Sequence, residues 1–124
     1  MKETVKEILK EMSKYSNKPI EGLVKERGDH FRYPVYMNEV FMNTALEDME
    51  LSVRAYHCLQ RAGYKTIGDL VSKIEGKADL LKIRHMGKLS ANEVMVRLCC
   101  YQFLILNEER KVKFVRRVLE LNQA

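Results

Sequence analysis

Residues 52–98, SVRAYHCLQRAGYKTIGDLVSKIEGKADLLKIRHMGKLSANEVMVRL, contain two predicted helical hairpins in tandem. In the first hairpin, residues 52–62 predict a helix with three side chains along one face: Val53, Tyr56 and Leu59. Gly63 is typical of the position that ends a helix, and Thr66 with Asp69 has the spacing of a capping box that begins the next one. The apolar residues of that next helix predict one buried face: Ile67, Leu70, Val71 and Ile74.

The second hairpin begins with a short helix predicted over residues 79–84. Its inward-facing side chains are expected to be Leu80, Leu81 and Ile83. A turn follows at residues 85–89, and Ser90 with Glu93 has capping-box spacing that predicts the start of the longest helix. A helix N-terminus carries partial positive charge, and a glycine such as Gly87 lets a phosphate backbone approach its N–H groups. Such hairpins also serve packing alone, so DNA binding and a structural role both stay open.

Helical extensions on both sides of this region complete a predicted all-α fold. Residues 1–44 begin with a helix in which Thr4 and Glu7 have capping-box spacing. The apolar residues of this helix share one face: Val5, Ile8, Leu9 and Met12. A second, shorter helix is predicted over residues 19–27, where Gly28 follows the last turn.

An extended connector or short edge strand is predicted over residues 29–38. Aromatic and apolar residues alternate there with polar residues or proline: Phe31, Tyr33 and Val35. Arg32 among these rings could act as a nucleic-acid arm. The simpler interpretation is that the rings fix the connector to the core.

Residues 104–124 follow the central segment, residues 45–103, and contain a helix predicted over residues 107–121. Its apolar stripe consists of Val112, Val115, Val118 and Leu119, widened by Phe114 and Leu121. Residues 94–106 are apolar nearly all round, so another part of the assembly must cover them. Either the terminal helices or a second copy of the protein could do so, which leaves a homodimer open.

The composition indicates one soluble globular domain, because the 124 residues are 46% hydrophobic and 31% charged. A net charge of +5 hints at a polyanionic partner. The sequence shows neither a secretory signal nor a span of membrane length, so we expect a cytoplasmic protein with no membrane partner. Cys58, Cys99 and Cys100 are expected to be reduced thiols, and their spacing predicts no metal site and no other cofactor.

No catalytic constellation stands out in the sequence. There is no carboxylate pair, nucleophile–base pair or phosphate loop. His57 and Cys58 are neighbours on a predicted helix, and adjacent helical residues do not face each other. We therefore predict that the protein is not an enzyme.

Four motifs occur in order along the central segment: LEDMELSVR (46–54), CL (58–59), IGDL (67–70) and LLKIRHMGKLS (80–90). They resemble the C-terminal domain of the bacterial RNA polymerase alpha subunit, over roughly half of the sequence. The join between the hairpins, near Gly76, is slightly longer than in that family. The resemblance implies a domain that binds A·T-rich DNA across the minor groove and also contacts transcription activators and sigma factors.

The family's DNA-contacting positions match seven residues of this protein: Arg54, His57, Cys58, His85, Gly87, Lys88 and Ser90. The resemblance implies that Arg54 enters the minor groove, while Gly87 and Ser90 hold the opposite phosphate. Cys58 matches a residue that lies near phosphate, although plain core filling is the alternative.

Three positions depart from the family's pattern. His57 and His85 replace asparagines, and Leu89 replaces a basic residue. Histidine can still donate to phosphate, whereas losing the basic residue should weaken DNA binding and flatten its salt dependence. Simpler roles also stay open, with Arg54 in a surface ion pair and both histidines as solvated turn residues.

Two functions follow as hypotheses. The sequence does not include the large assembly domain of an alpha subunit, so we expect a free-standing module that binds A·T-rich DNA as a transcription-associated accessory factor. The alternative is a protein-interaction module that contacts RNA polymerase or its regulators without binding DNA. The departures at His57, His85 and Leu89 favour this alternative.

Overall fold

The computed structural model describes residues 4–16 and 33–122. Within them lie seven α-helices and one 3-10 helix: α1 (Val5–Ser13), α2 (Glu39–Met42), the 3-10 helix (Leu46–Met49), α3 (Val53–Arg61), α4 (Ile67–Lys73), α5 (Lys77–Leu81), α6 (Lys88–Leu104) and α7 (Glu108–Leu121). The described residues form no strand beyond one isolated bridge between Ala45 and Thr66, so the all-α prediction is confirmed. The helix predicted over residues 19–27, and the predicted arm residue Arg32, lie outside the described residues.

The first predicted hairpin is present as α3 and α4. Gly63 has a φ of 91°, the left-handed conformation in which glycine commonly ends a helix. The Thr66 side chain accepts from Asp69 N, and the Asp69 carboxylate accepts from Thr66 N at 3.2 Å, which completes the capping box. These backbone hydrogen bonds, with one from Lys65 N, lower the pKa of Asp69. The predicted inner face of α4 is confirmed, since all four of its residues are buried.

The predicted inner face of α3 was partly wrong. Val53 is 71% exposed, whereas the buried residues of the helix are Ala55, Cys58 and Leu59. Ser52 is the N-cap, and its Oγ accepts from Ala55 N at 3.2 Å. The helix buries the face of Ala55 and Leu59, so Val53 and Arg54 point into solvent.

The second hairpin also differs in its first helix. α5 begins at Lys77 rather than at residue 79, because Asp79 lies in its first turn and accepts from Glu75 N at 2.8 Å. The helix ends at Leu81, whose side chain is 40% exposed, so the prediction that Leu81 faces inward was wrong. Leu80 is buried as predicted.

The capping box predicted for Ser90 and Glu93 was wrong. α6 begins at Lys88 with Gly87 as its N-cap, so Ser90 lies within the first turn and is buried. The Glu93 carboxylate instead accepts from Ser52 N at 2.5 Å and from Ser52 Oγ at 2.8 Å. This contact ties the body of α6 to the N-terminus of α3.

The terminal helices cover α6. Their buried residues include Ile8, Leu9 and Met12 on α1, and Phe114, Val115 and Val118 on α7. Tyr15 packs edge-on against Phe103 with ring centroids 5.8 Å apart, and its hydroxyl donates to the Glu108 carboxylate. That hydrogen bond raises the pKa of Tyr15 to about 12. The terminal helices thus supply part of this cover, although Ile105 is 51% exposed and Val112, which was predicted to lie in the buried stripe, is 39% exposed.

The described part of the connector, residues 33–38, lies against α6 and forms no strand. The buried Tyr33 hydroxyl donates to Met95 O at 2.6 Å. Gln102 is fully buried, and its Oε1 accepts from Tyr36 N at 2.9 Å while its Nε2 donates to Pro34 O at 2.8 Å. These contacts match the interpretation that the rings fix the connector to the core.

Two further findings concern the cysteines and the length of the helices. All three cysteines are buried and unpaired, and burial raises the pKa of Cys100 to about 12 and that of Cys99 well above its usual value. Across the described segments, no helix combines the length and the apolar character that crossing a membrane requires.

Candidate nucleic-acid interface

A cleft opens between α3 and the turn that leads into α6. Its volume is about 640 Å³, and its lining residues are Arg54, His57, Cys58, Arg61, His85, Met86 and Gly87. Five of the seven residues predicted to contact DNA therefore lie together. Arg61 and Met86 were missed, although Arg61 follows Arg54 by seven positions, a spacing that places both on one face of a helix.

The two walls of the cleft are held by contacts that the sequence did not predict. Glu93 fixes the N-terminus of α3, as described above. Between the two walls, the thiol of Cys58 on α3 donates to His85 O in the turn at 3.4 Å. His85 has a φ of 69°, an uncommon conformation for a residue other than glycine, so its carbonyl orientation depends on such support. Cys58 is only 6% exposed and thus has a structural role in shaping the cleft.

The side chains that line the cleft include basic groups but no acidic one. Its lining includes two arginines and two histidines but no carboxylate. Within residues 4–16 and 33–122, neither Arg54 nor Arg61 forms an ion pair, whereas Arg97 and Arg117 pair with glutamates. The interpretation of Arg54 as a surface ion-pair residue therefore finds no support in the part of the protein that the structure describes.

Gly87 leaves the N-terminus of α6 open. Its φ of −87° suits any residue, and a Cβ built at this position would meet nothing within 4 Å. Neither backbone conformation nor internal packing thus requires a glycine here. Because Gly87 has no side chain to cap the helix, the N–H groups of Lys88, Leu89 and Ser90 have no acceptor from the cap or the helix. An anion beside them would be stabilised by these donors and by the helix dipole.

Lys88 and Ser90 lie next to the cleft rather than in its lining. Lys88 is exposed and directly follows Gly87. Ser90 is only 7% exposed, so it offers a backbone N–H to a ligand more readily than its hydroxyl. Among the described residues, no three His, Cys, Asp or Glu side chains are grouped to hold a metal ion.

Comparison with known proteins identifies the family of this protein. The family of the C-terminal domain of the bacterial RNA polymerase alpha subunit matches residues 37–99, half of the sequence. The protein belongs to this family. No solved structure matches it.

Curated relatives of this alpha C-terminal domain are subunits of polymerase. The DNA-directed RNA polymerase subunit alpha of Carboxydothermus hydrogenoformans is 45% identical over 64 residues, which cover 52% of this protein and 20% of the relative. The subunit alpha of Symbiobacterium thermophilum is 43% identical over 60 residues, covering 48% of this protein and 18% of the relative. The match thus spans about a fifth of the length of these relatives.

The alpha C-terminal domain is a non-catalytic family that binds DNA and takes part in transcription. The match contains α2 to α5 and most of α6, together with every residue predicted to contact DNA. The three departures from the family pattern, His57, His85 and Leu89, are all exposed. They therefore change the chemistry of the surface and leave the packing of the core intact.

Proposed function

We propose that the protein binds DNA through the cleft between α3 and the N-terminus of α6, with a preference for A·T-rich minor grooves, as a transcription-associated accessory factor. The observation that carries the proposal is the juxtaposition of a cleft that contains two arginines and no carboxylate with an uncapped helix N-terminus. Both features attract phosphate, and they face the same opening. Membership of the alpha C-terminal domain family supports the same ligand.

Arg54 is the residue that would enter the groove. It is exposed in the first turn of α3 and has no ion-pair partner in the described segments. Hydrogen bonds in the minor groove barely distinguish A·T from T·A, but a narrow A-tract groove concentrates negative potential. A preference for A·T-rich DNA should therefore depend on Arg54.

Phosphates on the two edges of the groove would be held by different elements. His57 on α3 and His85 in the turn can donate imidazole N–H groups to one strand. The N–H groups of the first turn of α6, with the Lys88 ammonium, can hold the other strand. Glu93 fixes the spacing between these two elements by its contact with Ser52.

A fluorescence anisotropy titration tests the proposal. A·T-rich and G·C-rich duplexes of equal length are titrated at two salt concentrations with wild type, Arg54→Ala and the control Arg116→Ala, which removes an exposed arginine of α7. We expect wild type and control to prefer the A·T-rich duplex, and Arg54→Ala to lose the preference and at least tenfold in affinity. Equal behaviour of the two variants, or no binding at low salt, would contradict the proposal.

A protein-interaction module is the second candidate, and exposed apolar side chains favour it. Leu89 is 88% exposed in the first turn of α6, and Val53 is 71% exposed in the first turn of α3. The contact between Ser52 and Glu93 brings these two helices together. If wild type binds neither duplex at low salt, purified polymerase and its regulators become the partners to titrate, with Leu89→Ala as the first variant.

A further inference from the structure

A second, smaller cavity adjoins the cleft. It measures about 300 Å³ and is lined by Cys58, Arg61, Ala62, Ile83, Arg84 and His85. Three of these residues, Cys58, Arg61 and His85, also line the main cleft, so the two spaces share part of their wall. The smaller cavity thus extends the cleft beyond the positions that the family resemblance assigns to DNA.

The charged groups around this cavity favour the binding of an anion. Two guanidinium groups and one imidazole line it without any carboxylate, and neither Arg61 nor Arg84 forms an ion pair within the described residues. Like charges around one small space repel each other. The dipole of α3 favours a cation at Arg61 in its last turn, but Arg84 lies in the turn after α5 and gains nothing from that dipole.

The distance along α3 indicates which part of a duplex would reach this cavity. Arg54 and Arg61 are seven residues apart on one helix, a rise of about 10.5 Å. The minor groove of B-DNA is only about 6 Å wide. If α3 crosses the groove with Arg54 inside it, Arg61 lies past the groove and over its phosphate edge.

We propose that Arg61 and Arg84 form a phosphate subsite that extends the cleft and takes a backbone phosphate of the bound duplex. The inference rests on the proposed DNA binding for the source of the phosphate, while the subsite itself rests on the cavity and its charges. Arginine suits this role because its planar fork of N–H donors can hold two phosphate oxygens at once.

The salt dependence of DNA binding tests the backbone source. Each phosphate contact adds about 0.9 to the magnitude of the slope of log K against log salt. Relative to wild type, Arg61→Ala and Arg84→Ala should each lower that slope, and the double variant should lower it by about this amount in total, on A·T-rich and G·C-rich duplexes alike, because phosphate contacts do not read sequence. The control Arg116→Ala should keep the wild-type slope.

A titration with sodium pyrophosphate, followed by ¹⁵N NMR of the full-length protein, tests the subsite without DNA. We expect shifts at the amides of Arg61 and Arg84 that disappear in the Arg61→Ala, Arg84→Ala double variant. If the DNA slopes do not change but these shifts occur, the subsite takes a free phosphoanion instead, and the backbone source is overturned. If neither the slopes nor the shifts respond, the whole inference is overturned even where Arg54→Ala shows that DNA binding stands.

The variants Arg61→Lys and Arg84→Lys distinguish an effect of lost charge from an effect of lost folding. Lysine keeps the charge at the helix end and in the turn, so thermal unfolding should match that of wild type. The salt slope should stay close to the wild-type value, while affinity falls because lysine cannot hold two oxygens at once. A lysine variant that lowers the slope as far as alanine does would contradict a charge-based subsite.

Discussion

One exposed side chain in the first turn of α6 bears on the charge of this interface. Leu89 is 88% exposed at a position where the resemblance implies a basic residue, and it lies between two donors of the proposed phosphate site, Lys88 and the N–H of Ser90. Its apolar group adds no charge to the site and nothing to the core. We therefore attribute its effect to the affinity for DNA rather than to the stability of the fold.

Leu89→Lys should restore a phosphate contact. We expect tighter DNA binding and a salt slope steeper by about 0.9, because the added lysine neutralises one more phosphate on binding. Its cost to folding should be below about 1 kcal/mol, the usual penalty of a cation at an exposed helix N-terminus. The control Val40→Lys adds the same charge at a residue that is 84% exposed on α2. If the two variants bind DNA with equal slopes, Leu89 does not face the phosphate site.

Among elements, the relation between α3 and α6 decides the geometry of the cleft. The two helices approach through Ser52 and Glu93, whose hydrogen bonds measure 2.5 and 2.8 Å. The Ser52 hydroxyl also caps α3, so one residue both begins the helix and attaches it. Arg54 lies two residues after Ser52, so the contact between Ser52 and Glu93 also fixes where Arg54 lies.

Glu93→Ala tests whether Glu93 affects DNA binding through the geometry of the cleft or through its charge, because the two roles change the affinity for DNA in opposite directions. Removing a carboxylate near the cleft should strengthen DNA binding if charge alone matters. We expect binding to weaken several-fold instead, because α3 loses its anchor, and the free energy of unfolding to fall by about 1 kcal/mol. Anisotropy and urea unfolding measure the two effects. The control Glu109→Ala removes an exposed carboxylate of α7 and should not weaken binding. Tighter binding by Glu93→Ala would refute the anchoring role.

Local patterns predicted the elements well where their partners are local. The capping box of Thr66 and Asp69 and the left-handed Gly63 both depend on residues within one turn, and both are present. Ser90 and Glu93 have the same spacing, but Glu93 bonds to Ser52 on another helix, a contact that spacing cannot reveal.

The candidate site shows the same division between local and tertiary information. The family resemblance predicted Arg54 and Gly87 as site residues. Arg61 and Arg84 come close to them only because the turn before α6 lies against α3. Helical spacing from Arg54 is the signal that could have found Arg61. Nothing in the sequence links Arg84 to α3.

At the scale of the molecule, the segments outside the family match are part of one fold. The match ends at residue 99, and Gln102 lies just beyond it, while the partners Pro34 and Tyr36 lie just before the match begins at residue 37. One fully buried side chain of α6 thus attaches the connector to this helix. The cleft lies elsewhere, on α3 and the turn before α6. Stability and DNA binding should therefore respond to different residues.

Gln102→Leu tests that separation. The substitution leaves Tyr36 N and Pro34 O buried without their partner, so we expect the free energy of unfolding to fall by about 2 to 4 kcal/mol in urea. The control Gln60→Leu makes the same change at an exposed position and should cost little stability. Under conditions where the protein stays folded, Gln102→Leu should keep the wild-type DNA affinity and salt slope, because the cleft does not include the connector. A loss of DNA affinity in the folded variant would mean that the extensions support the cleft itself, since no lining residue has changed.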